Sequence, residues 1–220
     1  MNKIITCKEL SAELIYAPKL KHSYIQVKHD STIIIKTPYK QEQYAIGFFQ
    51  EKESWIRKQL LKNSQHKQPE VNLEDEVLLF GEIYSIDSQE AYYLRNKLHK
   101  LKIYDQNKVL TLYDDFYKYR AKEYLTKKVE YFANIMCLEY GTLKFRKMKS
   151  RWGSCSSTKI ITLNSQLMKL QKELIDYVVV HELAHLVHMN HSANFHALVE
   201  NYLPDAKVRR KKLKNIHLPL

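Results

Sequence analysis

One segment near the C-terminal end constrains the fold more than any other: residues 178–195 read VVVHELAHLVHMNHSANF. Its apolar residues, with those of the preceding KELIDY, recur at helical spacing and predict a helix over residues 172–189. The run of valines at its start indicates a buried helix, which nevertheless carries His181, Glu182 and His185. Because buried polar groups must be paired or bind a metal, these three side chains are the first candidates for function.

The pattern H-E-x-x-H at positions 181–185 has the geometry of a metal site. Residues i and i+4 lie one turn apart on one helix face, so the imidazoles of His181 and His185 converge on one ion. Zinc accepts imidazole nitrogens at about 2.0–2.1 Å in a tetrahedral arrangement. Glu182 lies about 100° around the helix from His181, from where its carboxylate reaches a water on the metal without binding the metal. We therefore expect a zinc cofactor, with Glu182 as the general base.

A catalytic zinc usually takes a third protein ligand, and His191 is the expected one. It lies at the offset of the third histidine in H-E-x-x-H-x-x-G-x-x-H enzymes. In that pattern a glycine turns the chain out of the helix, whereas this sequence has His188 there. Asn190 is the predicted turn residue, because asparagine tolerates left-handed geometry, and Ser192 is the predicted N-cap of the next helix.

Two residues of that next helix, predicted over 192–203, are rivals to His191. His196 and Glu200 can both face the site, and Glu200 is the choice if a distant glutamate completes the ligand set. A further alternative removes the metal altogether: an apolar structural helix in which the histidines are incidental.

The remainder of the chain is rich in predicted strands first and in predicted helices later. Apolar spacing and turn residues predict a hairpin over 13–37, a helix over 41–62, strands over 77–87 and 100–114, a long helix over 116–141 that ends at Gly141, and two strands around a glycine-containing turn over 145–168. The sequence therefore predicts an α+β protein, with a β-rich region containing one helix over residues 1–112 and a second region over 113–220.

The formal net charge of +12 is concentrated in two clusters, KFRKMKSR at 144–151 and KVRRKKLK at 207–214. Such clusters attract polyanions, so nucleic acid or an acidic protein is a candidate partner. A solvated basic surface is the simpler interpretation of either cluster.

Three cysteines, Cys7, Cys137 and Cys155, lie far apart and form no C-x-x-C pair. No apolar run approaches the length of a membrane helix, and the first residues lack the features of a secretory signal. We therefore expect reduced thiols, no membrane association and a cytoplasmic location.

Three blocks, SRWGSCS at 150–156, ITLNSQL at 161–167 and YVVVHELAHLVHMNHSANF at 177–195, resemble the YgjP-like metallopeptidase family of bacterial zincins, which is distantly related to SprT-like proteases. The resemblance extends over most of the chain. It implies a zincin-like metallopeptidase domain over 113–220, with the active-site helix under a small antiparallel sheet. It also implies zinc bound by His181, His185 and His191, Glu182 as the base, and hydrolysis of peptide bonds by metal-activated water. Family members often carry Trp where this chain has His196.

The RWGSCS block adds candidate substrate contacts. Gly153 permits a tight turn or a close backbone approach. Arg151 can face substrate and Trp152 can pack over the active-site helix, although a β-turn with a core tryptophan is an equal interpretation. Cys155 has no paired cysteine, which favours a buried thiol over a ligand or nucleophile. A polypeptide substrate can add as an extra strand if 145–151 or 159–164 lies at a sheet edge.

The leading functional hypothesis is thus a zinc metallopeptidase acting on polypeptides. The alternatives are a basic nucleic-acid-associated protein with a structural zinc, and a protease recruited to nucleoprotein. The sequence contains none of the common signatures of base-specific recognition.

Overall fold

The computed structural model describes residues 3–28, 30–65, 71–101 and 105–216. The chain divides into two compact units, Met1–Gln68 and Pro69–Leu220. The boundary expected at residue 112 from the change in composition falls instead inside a continuous helix of the second unit.

The N-terminal unit is a four-stranded sheet with two helices. Its elements are β1 (Lys3–Cys7), β2 (Leu10–Tyr16), β3 (Tyr24–Val27), β4 (Ile33–Thr37), α1 (Glu42–Glu51) and α2 (Glu53–Gln65). The strand order is β1-β2-β4-β3, with β2 and β4 parallel and the two outer pairs antiparallel. The β3–β4 pair confirms the hairpin predicted within residues 13–37; its predicted turn includes His29, which lies outside the described residues.

Lys52 divides the helix predicted over 41–62 into α1 and α2, and its backbone N–H donates to the Phe48 carbonyl at 3.2 Å. Phe49 of α1 and Ile56 of α2 pack with Ile35 of β4 in a separate hydrophobic core. The apolar spacing predicted one helix over this range, where the structure has two, because both helices keep the same face toward the sheet and the break leaves the spacing unchanged.

The C-terminal unit contains the candidate site. Its elements are β5 (Glu76–Leu79), β6 (Glu82–Ser85), α3 (Tyr92–Leu98), α4 (Gln106–Ile135), β7 (Thr142–Arg146), β8 (Gly153–Cys155), β9 (Ile160–Asn164), a 3₁₀ turn (Ser165–Lys169), α5 (Lys172–Ala184), α6 (Ala193–Tyr202) and α7 (Ala206–Lys214). The hairpin β5–β6 confirms the strands predicted over 77–87.

The prediction of a strand over 100–114 is wrong for residues 106–114, which form the start of α4; residues 102–104 lie outside the described residues. Asp105 decides the outcome, because its side chain accepts a hydrogen bond from the Lys108 N–H and caps the helix. The helix also ends before the predicted Gly141. Cys137 takes the left-handed conformation, with φ of 52°, and the Leu138 N–H donates to the Ala133 carbonyl, so Cys137 occupies the position that glycine usually fills.

The structure confirms the α+β class, with small sheets, but the sheet next to α5 is mixed rather than antiparallel. Its order is β7-β9-β8, with β8 and β9 antiparallel and β7 and β9 parallel. A tight turn joins β8 to β9, whereas β7 pairs with the other edge of β9 in the same direction. Residues 160–164 are therefore central and not an edge, Gly153 lies in a strand and not in a turn, and β7 and β8 are the two edges.

The helix α5 is the buried element of this unit. It contacts α4, α6, α7, β8 and β9, and Val179, Val180 and Leu183 are fully buried. Because it is covered on so many sides, its polar side chains have few routes to solvent. Among the described residues, no helix is both long and apolar enough to cross a membrane.

Candidate metal centre

Three imidazoles meet where α5 ends. The candidate ligand nitrogens of His181, His185 and His191 all lie within 4.8 Å of one another. Their ring centroids are 4.9 Å apart for His181 and His185, 5.0 Å for His181 and His191, and 4.8 Å for His185 and His191. Among the described residues, no other group of three or more potential ligands is close enough to share one ion.

The elbow that carries His191 back to the site forms without a glycine. The helix α5 ends at Ala184, and the N–H groups of Leu186 and Val187 donate to carbonyls three residues earlier. This tight turn leads the chain away from the helix axis, and Asn190 is not among the residues with positive φ. The prediction of a left-handed Asn190 is therefore wrong, because the helix already ends at the second histidine.

Ser192 begins the return of the chain into α6, as predicted. Its hydroxyl accepts a hydrogen bond from the Phe195 N–H at 3.3 Å, and the cap fixes the residue before it, His191, at the mouth of the elbow. The fully buried Phe195 ring lies beneath the group, 4.9, 4.6 and 4.9 Å from the centroids of His181, His185 and His191. Phe195 thus supports all three rings.

The protonation of the rings suits a cation. His185 Nδ1 lies 3.0 Å from the His188 carbonyl oxygen, which can only accept, so Nδ1 carries the proton and Nε2 keeps its lone pair. Burial lowers the pKa of His181 to about 3, helped by the charges of the neighbouring histidines and Arg210. Burial also lowers the pKa of His185. Both rings are therefore neutral near pH 7, the state in which imidazole binds metal.

The nitrogen spacing fits zinc as well. Nε2 of His181 and Nε2 of His191 are 3.1 Å apart. Two ligands at about 2.0–2.1 Å from a tetrahedral zinc are separated by roughly 3.3 Å, so little movement is needed for both to bind one ion. Three imidazoles form a donor set that zinc accepts.

Glu182 is buried beside this group. The residue is 5% exposed, and its Oε2 atom has no hydrogen-bond partner among the described residues. Burial raises the pKa of Glu182 to about 8, although the positive charge of Arg151 opposes the rise. A carboxyl group with a pKa near neutrality and a free oxygen can accept and return a proton.

Gly153 of β8 makes room for that carboxylate. A Cβ atom at position 153 would lie 2.5 Å from Oε1 and 2.7 Å from Cγ of Glu182. A side chain cannot be accommodated at these distances without moving Glu182. The close approach that the sequence suggested for Gly153 therefore has a specific neighbour.

Trp152 and Arg151 precede β8 and lie at different depths. Trp152 is half-buried against the hydrophobic core, whereas Arg151 is exposed and close enough to influence the charge on Glu182. Asn164 holds both backbones: its N–H donates to the Trp152 carbonyl at 2.9 Å, and its side-chain amide donates to the Arg151 carbonyl at 3.0 Å. Asn164 was not identified as a positioning residue from the sequence, although it lies in the ITLNSQL block.

Cys155 is a partly buried free thiol. Burial and the nearby charge of Glu182 raise its pKa, so the thiol is protonated at neutral pH. The expectation that Cys155 is neither ligand nor nucleophile agrees with this environment.

The two rivals for the third ligand position are engaged elsewhere. The Glu200 carboxylate lies 3.1 Å from Lys207 Nζ, and His196 Nε2 lies 3.3 Å from Arg210 Nη1. The His196 ring stacks on His191 with centroids 6.3 Å apart, outside the three-histidine group.

A family model described as "YgjP-like, metallopeptidase domain" matches residues 21–216. No curated protein matches the chain at a significant level.

Two crystal structures of metallopeptidase zymogens are similar to part of the chain. Jannalysin of Methanocaldococcus jannaschii is 24% identical over 40% of this chain and 91% of its own, with a TM-score of 0.37. Abylysin of Pyrococcus abyssi is 24% identical over 43% of this chain and 98% of its own, with a TM-score of 0.39.

Proposed function

The chain belongs to the YgjP-like metallopeptidase family, and we propose that it is a zinc-dependent peptidase in which His181, His185 and His191 hold the ion and Glu182 is the general base. The observation that carries this assignment is the convergence of three imidazole nitrogens within 4.8 Å beside a buried carboxylate with an unpaired oxygen. Burying such groups without partners costs free energy, so a ligand that supplies the partners accounts for their retention.

A bound zinc ion would supply Lewis acidity, which lowers the pKa of water towards ~7 and polarises a carbonyl group. Glu182 Oε2 takes one proton from the attacking water as the oxygen adds to the scissile carbonyl carbon. The same atom then gives that proton to the leaving amine nitrogen as the C–N bond breaks. The apolar surroundings favour the neutral carboxyl between these two transfers.

The substrate in this proposal is an extended polypeptide that pairs with the outer edge of β8. Only β9 pairs with β8 among the described strands, so the other edge is available for an added strand. Arg151 and Trp152 immediately precede that strand and contact the substrate in this arrangement. The reduced thiols support a cytoplasmic location as part of the same proposal.

The test is cleavage of a diverse peptide mixture by zinc-loaded protein, followed by mass spectrometry. We expect new termini with the parent and with Glu173→Gln, which changes a partly exposed glutamate of α5, but not with Glu182→Gln at equal zinc content. Equal cleavage by Glu182→Gln would show that another group removes the proton.

Recruitment to nucleic acid is a second proposal, favoured by the 144–151 cluster. Lys144, Arg146, Lys149 and Arg151 are exposed and make no ion pair with a described carboxylate, whereas Lys147 pairs with Asp114 at 2.8 Å. Duplex DNA binding that weakens steeply with salt would support recruitment. Unchanged binding after neutralisation of Lys144 and Lys149 would count against it.

A further inference from the structure

The basic cluster on α7 is not a uniform surface, because ion pairs neutralise some of its cations. Lys207 Nζ lies 3.1 Å from the Glu200 carboxylate, and Arg209 Nε lies 2.8 Å from Asp205. Arg210 makes no ion pair with any carboxylate among the described residues, and its guanidinium contacts the ring of His196.

Arg210 lines a cleft between α6 and α7 of about 320 Å³. The polar wall of the cleft consists of Tyr177, His196, Glu200, Lys207 and Arg210, and three alanines and a valine line the remainder. Because Lys207 and Glu200 cancel one another, the cleft has one uncompensated positive charge, on Arg210.

The cleft adjoins the three histidines. The Tyr177 ring lies 5.8 Å from the His181 ring, and the His196 ring lies 6.3 Å from the His191 ring. An extended peptide advances about 3.3 Å per residue, so a side chain one to three residues from the bond being cleaved can enter the cleft. The cleft is therefore within reach of a substrate bound at the three histidines.

We propose that this cleft is a specificity site that binds a carboxylate of the polypeptide substrate, with Arg210 as the recognising cation. The inference rests on the proposed peptidase function. A guanidinium presents paired N–H donors that match the two oxygens of a carboxylate, and one unpaired cation matches a single negative charge. A nucleic-acid phosphodiester also carries a single negative charge, so a DNA oligonucleotide is the competitor that the test has to exclude.

The carboxylate has two sources in a peptide, an acidic side chain or the free C-terminus. A matched peptide set separates them. One series places Glu or Gln one, two or three residues to either side of the cleaved bond. A second series keeps Gln throughout and ends in a free or an amidated C-terminus.

Two measurements keep recognition apart from catalysis. Binding is measured by fluorescence anisotropy with the zinc-loaded Glu182→Gln variant, and kcat/KM is measured with the parent. Both are repeated after Arg210→Gln and after Lys211→Gln, which removes an exposed neighbouring charge that does not line the cleft.

We expect one Glu position, or the free C-terminus, to be favoured by at least about 5-fold in both measurements. Arg210→Gln should abolish this preference and Lys211→Gln should keep it. The proposal would be overturned if the parent bound and cleaved the charged and neutral peptides of every pair equally, or if the preference survived Arg210→Gln. It would also be overturned if a DNA oligonucleotide displaced the Glu peptide and this displacement required Arg210.

The two proposals fail differently. Binding preference that depends on Arg210 without any cleavage would leave the carboxylate site in place and remove the peptidase mechanism. Cleavage without any preference would remove the carboxylate site and leave the peptidase mechanism in place.

Discussion

Two regions of the C-terminal unit bury polar side chains, and they treat them in opposite ways. Where α4 meets the 3₁₀ turn and the β5 strand, the buried groups are paired. Tyr117 donates to the Leu78 carbonyl at 2.9 Å, and Gln166 Nε2 donates to Asp114 at 3.3 Å. Asn164, which is fully buried, uses both its amide and its carbonyl oxygen.

At the end of α5 the buried groups are left unpaired. His181 Nδ1 and Glu182 Oε2 are inaccessible and have no hydrogen-bond partner among the described residues. A buried unpaired polar atom costs about 1–3 kcal/mol. The first region therefore contributes to stability, whereas the second leaves Glu182 Oε2 without a partner among the described residues, as its proposed role as the general base requires.

The largest expected effect comes from removing a member of the unpaired region. His181→Ala takes away one of three nitrogens, and we expect loss of stoichiometric zinc and, with it, of all measurable peptidase activity. Elemental analysis of protein purified without chelator gives the zinc content.

His188→Ala is the matched control, because it removes a neighbouring histidine but keeps the backbone carbonyl that holds His185. Full zinc occupancy of His181→Ala would refute the assignment of His181 as a ligand. The unpaired region would then have no metal-binding role to distinguish it from the paired region.

Glu182→Gln should separate activity from stability. We expect kcat to fall by about 10²- to 10⁴-fold, the usual contribution of general acid–base catalysis. The melting temperature of the metal-free protein should stay the same or rise, since a neutral amide is cheaper to bury than a carboxylate. Thermal unfolding followed by circular dichroism measures the second effect. A large fall in melting temperature would mean that Glu182 has a structural partner after all.

Asn164→Ala tests the paired region and should give the opposite result. It leaves the backbone of residues 148–151 without its internal partner, so we expect the free energy of unfolding to fall by about 2–4 kcal/mol. Zinc content should be retained because no ligand is touched. Urea unfolding gives the free energy, and Asn107→Ala, an exposed position in the first turn of α4, is the control. A stability equal to that of the parent would mean that the paired region is as dispensable as the unpaired one.

Local rules were sufficient for much of the site. The i, i+4 spacing placed His181 and His185 on one helix face, and the Ser192 cap of α6 was predicted correctly from residue type alone. These features depend on neighbours along the chain, which a single sequence displays directly.

The features that the sequence did not show depend on distant contacts. The support of three rings by Phe195, and the contact of Gly153 with Glu182, arise only when β8 and α6 pack against α5. The strand predicted over 100–114 failed for a different reason, since its residue types favour β-structure and only the Asp105 cap selects the helix. Position in the tertiary structure decided the first two features, whereas a local helix cap decided the third.

Lys169 is the least well paired member of the paired region, and its replacement has the smallest predicted effect. Its Nζ lies 4.7 Å from the Tyr117 ring, and burial lowers its pKa to about 8 from 10.5, against the opposing attraction of Asp114.

The unfolded chain therefore binds more protons than the folded protein between pH 8 and pH 10.5, and the stability contributed by this group rises over that range. Below pH 8 the buried charge costs its full amount, about 1–3 kcal/mol after allowance for solvent screening. Lys169→Met removes that cost, so the variant should exceed the parent in stability most strongly below pH 8, and the difference should shrink towards pH 10.5. Urea unfolding at a series of pH values measures the difference, with Lys172→Met as the control for losing a cation near an aromatic ring. If the difference in unfolding free energy between variant and parent stays constant across the pH series, the pKa of Lys169 is not lowered by folding. Lys169 would then be paired as fully as Asn164, and the paired region would contain no exception.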